Sequence, residues 1–345
     1  MEALGIEIEK SEAEKVKQIL SKKSLLNNSL LPIRKGNKVI FPIKEKPIEN
    51  LGKIVKTKFS MREKKPKNIK EVLSKSLSKE EIALLPSSFD LLGDCAILEL
   101  NERIKHKALE IAEALMLVNK QVKSVFLKTG AHHGIFRNEP VVFIAGKRTN
   151  KATYIEHGCK FKITLGQVFF SPRLSSERKR ISNLIKEGEK IACLFAGVGP
   201  FPIVFAKHSK MSMAIAIELN PIAYNDMLEN ITINKLQNKI IPLLGDVKEF
   251  AKMPEYKEKF DRVIMPLPKG GENFLEDAIN FLKKEGMIHY YQFSDSKSPF
   301  EDPHKQIENA CKDKNATFEI IFEKKVRDYA PSIVQVVIDF FVRKR

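Results

Sequence analysis

The sequence predicts an α/β protein in which a Rossmann-like domain follows two smaller α+β domains. From about residue 188 onward, short apolar segments alternate with amphipathic segments, which is typical of a doubly wound parallel sheet. The first apolar segment ends in a glycine turn at 197–199, and the charged, proline-broken segment Arg62–Lys67 indicates a linker. The predicted domains are 1–65, 68–165 and 166–345.

The first domain is predicted to contain one helix and two extended segments. Ser11 and Glu14 have the spacing of a capping box, so a short helix is expected from there through Leu20. Residues 38–43 form a predicted strand. Residues 51–59 are predicted as a further strand or a short helix.

The second domain is predicted to combine helices at 69–77 and 102–119 with four strands. These strands cover Cys95–Leu100 and residues 122–128, 140–145 and 159–164. A helix from Glu177 to Lys186 leads into the third domain, which has seven predicted strands. They are Lys190–Phe195, Met213–Glu218, Ile240–Leu244, Arg262–Met265, Gly286–Gln292, Thr317–Lys324 and Ile333–Phe341. We expect the last two to form an antiparallel pair at the sheet edge.

The charge balance indicates an anionic partner. Among 345 residues, 60 Lys and Arg stand against 43 Asp and Glu, which leaves a net charge of +17. Such an excess favours nucleic acid, because each phosphate that a lysine or arginine neutralises releases condensed counterions. A lysine-rich proteome would produce the same excess without such a ligand, so charge alone leaves the partner open.

The cysteines and the apolar segments limit the class of protein further. Cys95, Cys159, Cys193 and Cys311 lie far apart with no C-x-x-C spacing, so we expect no zinc site or other metal, no disulfide framework and a reducing cytoplasm. No uncharged apolar stretch reaches the roughly 18 residues that a membrane span requires, and the N-terminus lacks the features of a signal peptide. We therefore expect a soluble, cytoplasmic protein with no membrane partner.

The first strand of the third domain ends in a turn that suits a nucleoside cofactor. Gly197 and Gly199 let the backbone approach a ligand closely. The third glycine that would favour the pyrophosphate of a dinucleotide is missing, and Pro202 stands near its place. This difference favours S-adenosylmethionine (AdoMet) over NAD. The turn residues expected to bind it are Phe195, Ala196, Gly197, Gly199 and Pro200.

Acidic residues follow the next two strands. Glu218 ends the second strand, before Leu219 and Asn220, and its carboxylate can accept hydrogen bonds from both ribose hydroxyls. Asp246, followed by Val247, ends the third strand, where an acid can accept from an adenine amino group. Each acid alone is also compatible with an ordinary solvated strand end. Together with the glycine turn they predict an AdoMet site, since ligands of open α/β sheets bind outside the carboxyl ends of the strands.

The fourth strand is followed by Pro266-Leu267-Pro268-Lys269, a loop that its prolines make rigid. Class I methyltransferases that act on planar nitrogen often hold the target ring against a loop at this strand end. From this segment alone, a proline-stiffened turn without such a role is an equal alternative.

Motifs along nearly the whole chain resemble a known family. They are Phe89-Asp90-Leu91-Leu92-Gly93-Asp94, Phe136-Arg137, Val168-Phe169-Phe170-Ser171-Pro172-Arg173-Leu174 with Glu177-Arg178, Phe195-Ala196-Gly197-Val198-Gly199-Pro200-Phe201, Pro266-Leu267-Pro268-Lys269, His289-Tyr290-Tyr291 and Tyr329-Ala330-Pro331. Together they are similar to the archaeal and eukaryotic tRNA (guanine-N1)-methyltransferases that modify guanosine at tRNA position 37. The resemblance implies a class I methyltransferase domain, AdoMet as methyl donor and tRNA as substrate.

The resemblance also implies catalytic roles. Guanine N1 carries a proton that a base must remove as the methyl group arrives, and Glu177 matches the family's general base. Negative charge then spreads onto O6, and Arg137 matches the arginine that stabilises it. Pro266 and Pro268 match the loop at the target base, Pro266 also lies where the cofactor is expected, and Arg178 would lie beside AdoMet. Without the resemblance, Glu177 would be an ordinary acid in a first helical turn.

One departure from the family pattern bears on the substrate. Most members carry Asn where Pro266 stands, and the P-x-P-K form resembles the archaeal branch involved in wyosine synthesis. That branch can also methylate carbon 7 of the tricyclic base 4-demethylwyosine, and loss of the asparagine would leave room for a bulkier ring. We expect both reactions, the second giving isowyosine. The alternatives are a monofunctional N1-methyltransferase, an NAD-linked oxidoreductase and a noncatalytic RNA-binding module.

The resemblance further implies how tRNA is held. The target base must be splayed out of the anticodon loop before a methyl donor can reach its edge. The first domain is expected to dock on the outer corner of the tRNA, and the enzyme is expected to act as a monomer. Candidate RNA contacts, each also compatible with a solvated basic face, are Lys105, Lys107, Lys120, Lys123, Lys128 and Arg137.

Overall fold

The computed structural model of the protein describes residues 1–62, 66–130 and 140–345. The chain divides into two compact units, Met1–Val72 and Leu73–Arg345. The predicted catalytic Arg137 lies outside the described residues. No helix among those described is long and apolar enough to cross a membrane.

The first unit is a four-stranded antiparallel sheet covered by one helix. Its elements are β1 (Glu2–Glu9), α1 (Ala13–Lys22), β2 (Ile33–Lys35), β3 (Lys38–Pro42) and β4 (Lys53–Lys58). The strand order is β2-β3-β1-β4. Ile6, Val16, Leu20 and Phe41 are buried between helix and sheet. The segment at 51–59 therefore contains a strand, and β1 was not predicted.

The capping box predicted at Ser11 is wrong. Lys10–Glu12 form a short 3-10 turn, α1 begins at Ala13, and no side chain caps it. The reason is that β1 continues to Glu9 and the Lys10 N–H donates to the carbonyl of Asn37 at 2.8 Å, so the chain turns into the helix later than the local pattern suggests.

The N-terminal part of the second unit contains a four-stranded sheet and a separate hairpin. Its elements are α2 (Ile69–Leu73, which begins in the first unit), α3 (Lys79–Ala83), β5 (Asp90–Leu92), β6 (Cys95–Leu98), α4 (Ala108–Val118), β7 (Ser124–Lys128), β8 (Val141–Gly146), β9 (Lys151–Glu156) and β10 (Cys159–Thr164). The sheet order is β5-β6-β7-β8, and β9 pairs with β10. The long helix predicted from residue 102 begins as a 3-10 helix, Glu102–Lys107.

The rest of the second unit is the predicted doubly wound sheet. Its elements are α5 (Ser175–Leu184), β11 (Lys190–Cys193), α6 (Pro200–His208), β12 (Met213–Glu218), α7 (Pro221–Ile233), β13 (Ile240–Leu244), α8 (Val247–Phe250), β14 (Phe260–Met265), α9 (Leu275–Phe281), β15 (Leu282–Asp295), α10 (Glu301–Asp313), β16 (Ala316–Ala330) and β17 (Ile333–Lys344). The order is β13-β12-β11-β14-β15-β17-β16, with β17 antiparallel to both neighbours. All seven predicted strands and the antiparallel pairing of the last two are confirmed.

The sheet is buried on both faces, and the hairpin β9–β10 packs against α7, one of the helices that cover it. One core contains residues of α5, α6 and α7, and the other contains residues of α8, α9 and α10. The amide of Asn230 on α7 accepts from the Lys162 N–H at 2.6 Å and donates to the Lys162 carbonyl at 3.0 Å. Asp226, one turn earlier, accepts from the Thr164 N–H at 2.6 Å. The hairpin is thus fixed to α7. The domain boundary at 165 stays a prediction.

Candidate active site

The glycine turn lies at the carboxyl end of β11, in the middle of the sheet. Gly197 and Gly199 both have left-handed backbone conformations, with φ of 57° and 84°, and α6 begins directly afterwards at Pro200. A Cβ on Gly199 would lie 3.0 Å from Cγ of Met227, so packing against α7 also requires glycine there. Around the Cβ position of Gly197 the nearest atom lies 3.8 Å away, which leaves the turn open to a ligand.

Glu218, at the end of β12, faces this turn. Its Oε2 accepts from the Gly197 N–H and its Oε1 from the Asn220 N–H, both at 2.7 Å. Burial raises the pKa of Glu218, and these backbone donors oppose the increase only in part. Each oxygen has a further lone pair, so the carboxylate is fixed in position and can still accept from a diol. Asn220 in turn donates to the Gln167 carbonyl at 2.8 Å and caps α7.

The remaining predicted cofactor residues occupy neighbouring strand ends. Asp246 follows β13 and caps α8 by accepting from the Lys248 N–H at 2.8 Å. Val247 has a buried side chain, so any contact with a ligand would involve its backbone. Leu219 is exposed, and Ala196 is buried with its N–H bonded to the Ile217 carbonyl. The strand order brings the turn and both acids to one edge, while their contacts with AdoMet stay predictions.

The proline loop follows β14, which lies between β11 and β15. Pro266 is half-buried and Pro268 is buried, and the Pro268 carbonyl accepts from the Phe293 N–H of β15 at 2.7 Å. This bond fixes the loop at the same sheet edge as the glycine turn. Its contact with a target base stays a prediction.

Glu177, the predicted base, is buried in the first turn of α5, with 1% of its surface exposed. The carboxylate accepts from Tyr291 Oη at 3.2 Å and from Arg180 Nε at 2.9 Å, and Lys324 Nζ lies 3.5 Å away. Burial, with the nearby Glu177, raises the pKa of Tyr291 well above its usual value, so this phenol stays a donor. The Tyr291 ring lies 5.9 Å from the Phe201 ring, which places Glu177 near the first turn of α6.

Arg178, predicted to lie beside the cofactor, is engaged by protein groups. It is buried, and its Nε and Nη2 donate to Glu156 at 2.5 and 2.7 Å. Nη2 also donates to the Ser171 carbonyl at 3.2 Å, and the guanidinium lies over the Phe170 ring at 5.4 Å. These contacts fasten α5 to β9, and a direct bond to AdoMet stays a prediction.

A chain of hydrogen-bonded polar and charged side chains next to Glu177, with Asp339, His289 and Arg262 buried, was not predicted. Arg180 donates to Asp339 through Nη1 at 2.6 Å, Asp339 lies 2.6 Å from His289 Nδ1, and His289 Nε2 lies 2.6 Å from Arg262 Nη1. Arg262 in turn pairs with Glu189 at 2.7 Å. Charged or polar residues inside apolar strands, such as Asp339 in β17, were the available signal.

The predicted RNA contacts in the N-terminal part of this unit are partly engaged by acids. Lys105 pairs with Glu102, Lys107 with Glu110 at 2.9 Å, and Lys128 lies 3.5 Å from Glu99. Lys120 and Lys123 are exposed. Contacts of these side chains with RNA stay predictions.

Comparison with known families gives three matches in chain order. Residues 5–51 match the tRNA methyltransferase 5 N-terminal domain, residues 69–149 the TYW2 N-terminal domain, and residues 152–321 the TRM5/TYW2 methyltransferase domain. These matches confirm the predicted fold class, an α/β methyltransferase domain preceded by smaller domains.

Two curated relatives are similar over much of the chain. The tRNA (guanine(37)-N(1))-methyltransferase Trm5b of Pyrococcus abyssi is 34% identical over 339 residues, which cover 98% of this chain and 99% of the relative. The tRNA (guanine(37)-N(1))/4-demethylwyosine(37)-methyltransferase Taw22 of Nanoarchaeum equitans is 34% identical over 258 residues, covering 61% of this chain and 85% of the relative.

Two solved structures are similar in fold. The complex of aTrm5 with tRNALeu is 30% identical, covers 99% of this chain and 100% of its own, and has a TM-score of 0.77. The complex of Methanocaldococcus jannaschii TYW2 with AdoMet is 28% identical, covers 75% of this chain and 100% of its own, and has a TM-score of 0.59.

Proposed function

The chain belongs to the TRM5/TYW2 methyltransferase family, and on this premise we propose that it transfers the methyl group of AdoMet to N1 of guanosine 37 in tRNA. The observation that carries the proposal is the buried carboxylate of Glu177, which lies near α6, the helix that follows the glycine turn. The relatives support AdoMet and tRNA as ligands, since one is solved with AdoMet and another with tRNALeu. Family membership disfavours an NAD-linked oxidoreductase and a noncatalytic RNA-binding module.

The residues at the sheet edge fit AdoMet. The open Gly197 turn would accommodate the ligand, Glu218 would accept from its ribose hydroxyls, and Asp246 would accept from its adenine amino group. Once bound, the sulfonium supplies an electrophilic methyl carbon. These three residues orient and hold the donor and take no part in proton transfer.

In the proposed reaction, Glu177 receives the proton of guanine N1 while N1 forms its bond to the methyl carbon and the sulfur–methyl bond breaks. The hydrogen bonds from Tyr291 and Arg180 orient the carboxylate, and Lys324 Nζ lies 3.5 Å from its other oxygen. Arg137 would stabilise the charge that develops on O6. The Pro266–Lys269 loop would support the ring of the base.

The test is methylation by the whole protein of a tRNA transcript, with radiolabelled AdoMet. Label is expected at N1 of guanosine 37, and an otherwise identical transcript with adenosine at that position is the matched control. Equal labelling of both transcripts, or none of either, would contradict the proposed function.

We propose carbon-7 methylation of 4-demethylwyosine as a second activity, because Pro266 replaces an amide side chain at the target loop and the similar Taw22 is named for both reactions. The same assay with tRNA that carries 4-demethylwyosine at position 37 tests it. Label in the tricyclic base is expected. Label in guanosine but none in the tricyclic base would establish the monofunctional alternative.

We further propose that the first unit docks on the outer corner of the tRNA, and that the enzyme acts as a cytoplasmic monomer. The enzyme should then have a lower KM for full-length tRNA than for an isolated anticodon stem-loop, which lacks that corner. Sedimentation should show one protein chain per tRNA. Equal KM values, or two chains per tRNA, would contradict the corresponding part of this proposal.

The affinity for AdoMet is expected to fall as the pH is lowered from above the pKa of Glu218 to below it. Only the ionised Glu218 can accept from both ribose hydroxyls, and burial raises its pKa, so the binding form is lost as the pH falls through that raised value. Glu218→Gln should weaken binding by about tenfold or more and flatten this dependence. Calorimetric titration over the pH range measures both effects.

Glu249→Gln is the matched control, since Glu249 is an exposed acid in the short helix α8. This variant should bind AdoMet like the wild type at every pH. If the wild-type affinity for AdoMet does not change with pH, Glu218 does not bind the cofactor as an ionised acceptor.

A further inference from the structure

We propose that Asp339 is a positioning residue that acts through Arg180 to orient Glu177 and to set its strength as a base. The inference rests on the proposed function, because it concerns the same carboxylate. Asp339 lies on β17 and is 2% exposed, far from Glu177 in sequence but joined to it by a single guanidinium.

Arg180 divides its hydrogen bonds unequally between two carboxylates. Its Nη1 and Nη2 donate to Asp339 at 2.6 and 3.3 Å, whereas only Nε donates to Glu177, at 2.9 Å. Most of the guanidinium charge is therefore compensated by Asp339. Glu177 is held in a fixed direction without being the only counterion of Arg180, a role that would make it a poor proton acceptor.

His289 fixes the position of Asp339. Arg262 has only donors, so His289 Nε2 accepts from it at 2.6 Å and the ring hydrogen must lie on Nδ1, which donates to Asp339 at 2.6 Å. Burial lowers the pKa of His289, which favours this neutral form. Burial alone would raise the pKa of Asp339, but His289 and Arg180 together lower it, so Asp339 stays ionised.

Among the residues that the structure describes, three groups face Glu177 from the elements packed around it. They are Arg180 from its own helix, Tyr291 from β15 and the half-exposed Lys324 from β16. Asp339 is the acid that compensates the first of them. If Asp339 loses its charge, Glu177 becomes the carboxylate that compensates the whole charge of Arg180. If Arg180 is removed instead, Tyr291 and Lys324 still face the carboxylate of Glu177.

The test measures the single-turnover rate of guanosine methylation against pH for two variants. Asp339→Asn should lower the rate at neutral pH by about tenfold and move the acidic limb of the profile to lower pH, because Glu177 becomes a weaker base. Arg180→Gln should move the acidic limb to higher pH, so that its rate recovers in part as the pH rises. AdoMet affinity should stay near the wild-type value in Asp339→Asn.

Asp226→Asn is the matched control. Asp226 lies on α7, is 1% exposed, pairs with Lys151 at 2.8 Å and accepts from the Thr164 N–H at 2.6 Å. This variant should lose stability and keep the wild-type position of the acidic limb. An unchanged limb in Asp339→Asn, or the same shift in Asp226→Asn, would overturn the positioning role. A wild-type enzyme that transfers no methyl group to guanosine 37 would instead overturn the proposed function.

Discussion

Replacing Glu177 by glutamine is expected to lower the single-turnover rate of N1 methylation by about 10²–10⁴-fold, the usual contribution of a general base. Glutamine has nearly the same shape and can still accept from Tyr291 and Arg180, so the fold around α5 should persist. It cannot take the N1 proton, and the methyl group would then have to be transferred to a nitrogen that is still protonated. Rapid-quench kinetics with labelled AdoMet measure the loss.

The affinity of Glu177→Gln for AdoMet, measured by calorimetry, should stay near that of the wild type. Glu187→Gln is the matched control, because Glu187 lies on the surface and pairs with the exposed Lys210 at 3.2 Å. That variant should be fully active. Equal losses of rate and of AdoMet affinity in Glu177→Gln would show that the carboxylate is structural.

The fold of the sheet domain could be predicted because its strands are apolar runs separated by amphipathic helices. Strands buried on both faces, such as β12 with Ala214 to Ile217 fully buried, give such a signal from local sequence alone. Four strands were missed, β1, β2, β5 and β9, of which β2 and β5 have only three residues each. The longer two, β1 and β9, have partly exposed faces, and their side chains mix apolar and polar residues over six to eight positions. Their pairing depends on partners elsewhere in the chain, which a local pattern does not contain.

The same distinction applies to the site. Gly197, Glu218 and Asp246 were predicted together because the carboxyl ends of parallel strands meet at one edge of the sheet. Residues that directly follow such strands in sequence are therefore expected to lie close together in the fold. The bond between Arg180 and Asp339 joins residues 159 positions apart, and β17 runs antiparallel to its neighbours. Nothing in the local sequence of either residue indicates the other, although a carboxylate inside an apolar strand indicates that some cation must compensate it.

Replacing Arg178 by methionine is expected to cost about 3–5 kcal/mol of the free energy of unfolding, because it breaks a buried ion pair and leaves the carboxylate of Glu156 uncompensated. The pair has two hydrogen bonds, at 2.5 and 2.7 Å, and both side chains are nearly inaccessible to solvent. Urea-induced unfolding of the full chain, followed by circular dichroism, measures the loss. Arg173→Met, which removes an exposed arginine 3.6 Å from Asp90, is the control and should cost little.

The double variant Arg178→Met, Glu156→Gln separates the two roles considered for Arg178. Most of the lost stability should return, because the charge that was left without a partner is gone. If Arg178 serves to fasten α5 to β9, AdoMet affinity should return together with stability. Recovered stability with persistently weak AdoMet binding would instead show that the guanidinium contacts the cofactor. The distances favour the first outcome, since Nε and Nη2 already donate to Glu156 and Nη2 also donates to the Ser171 carbonyl.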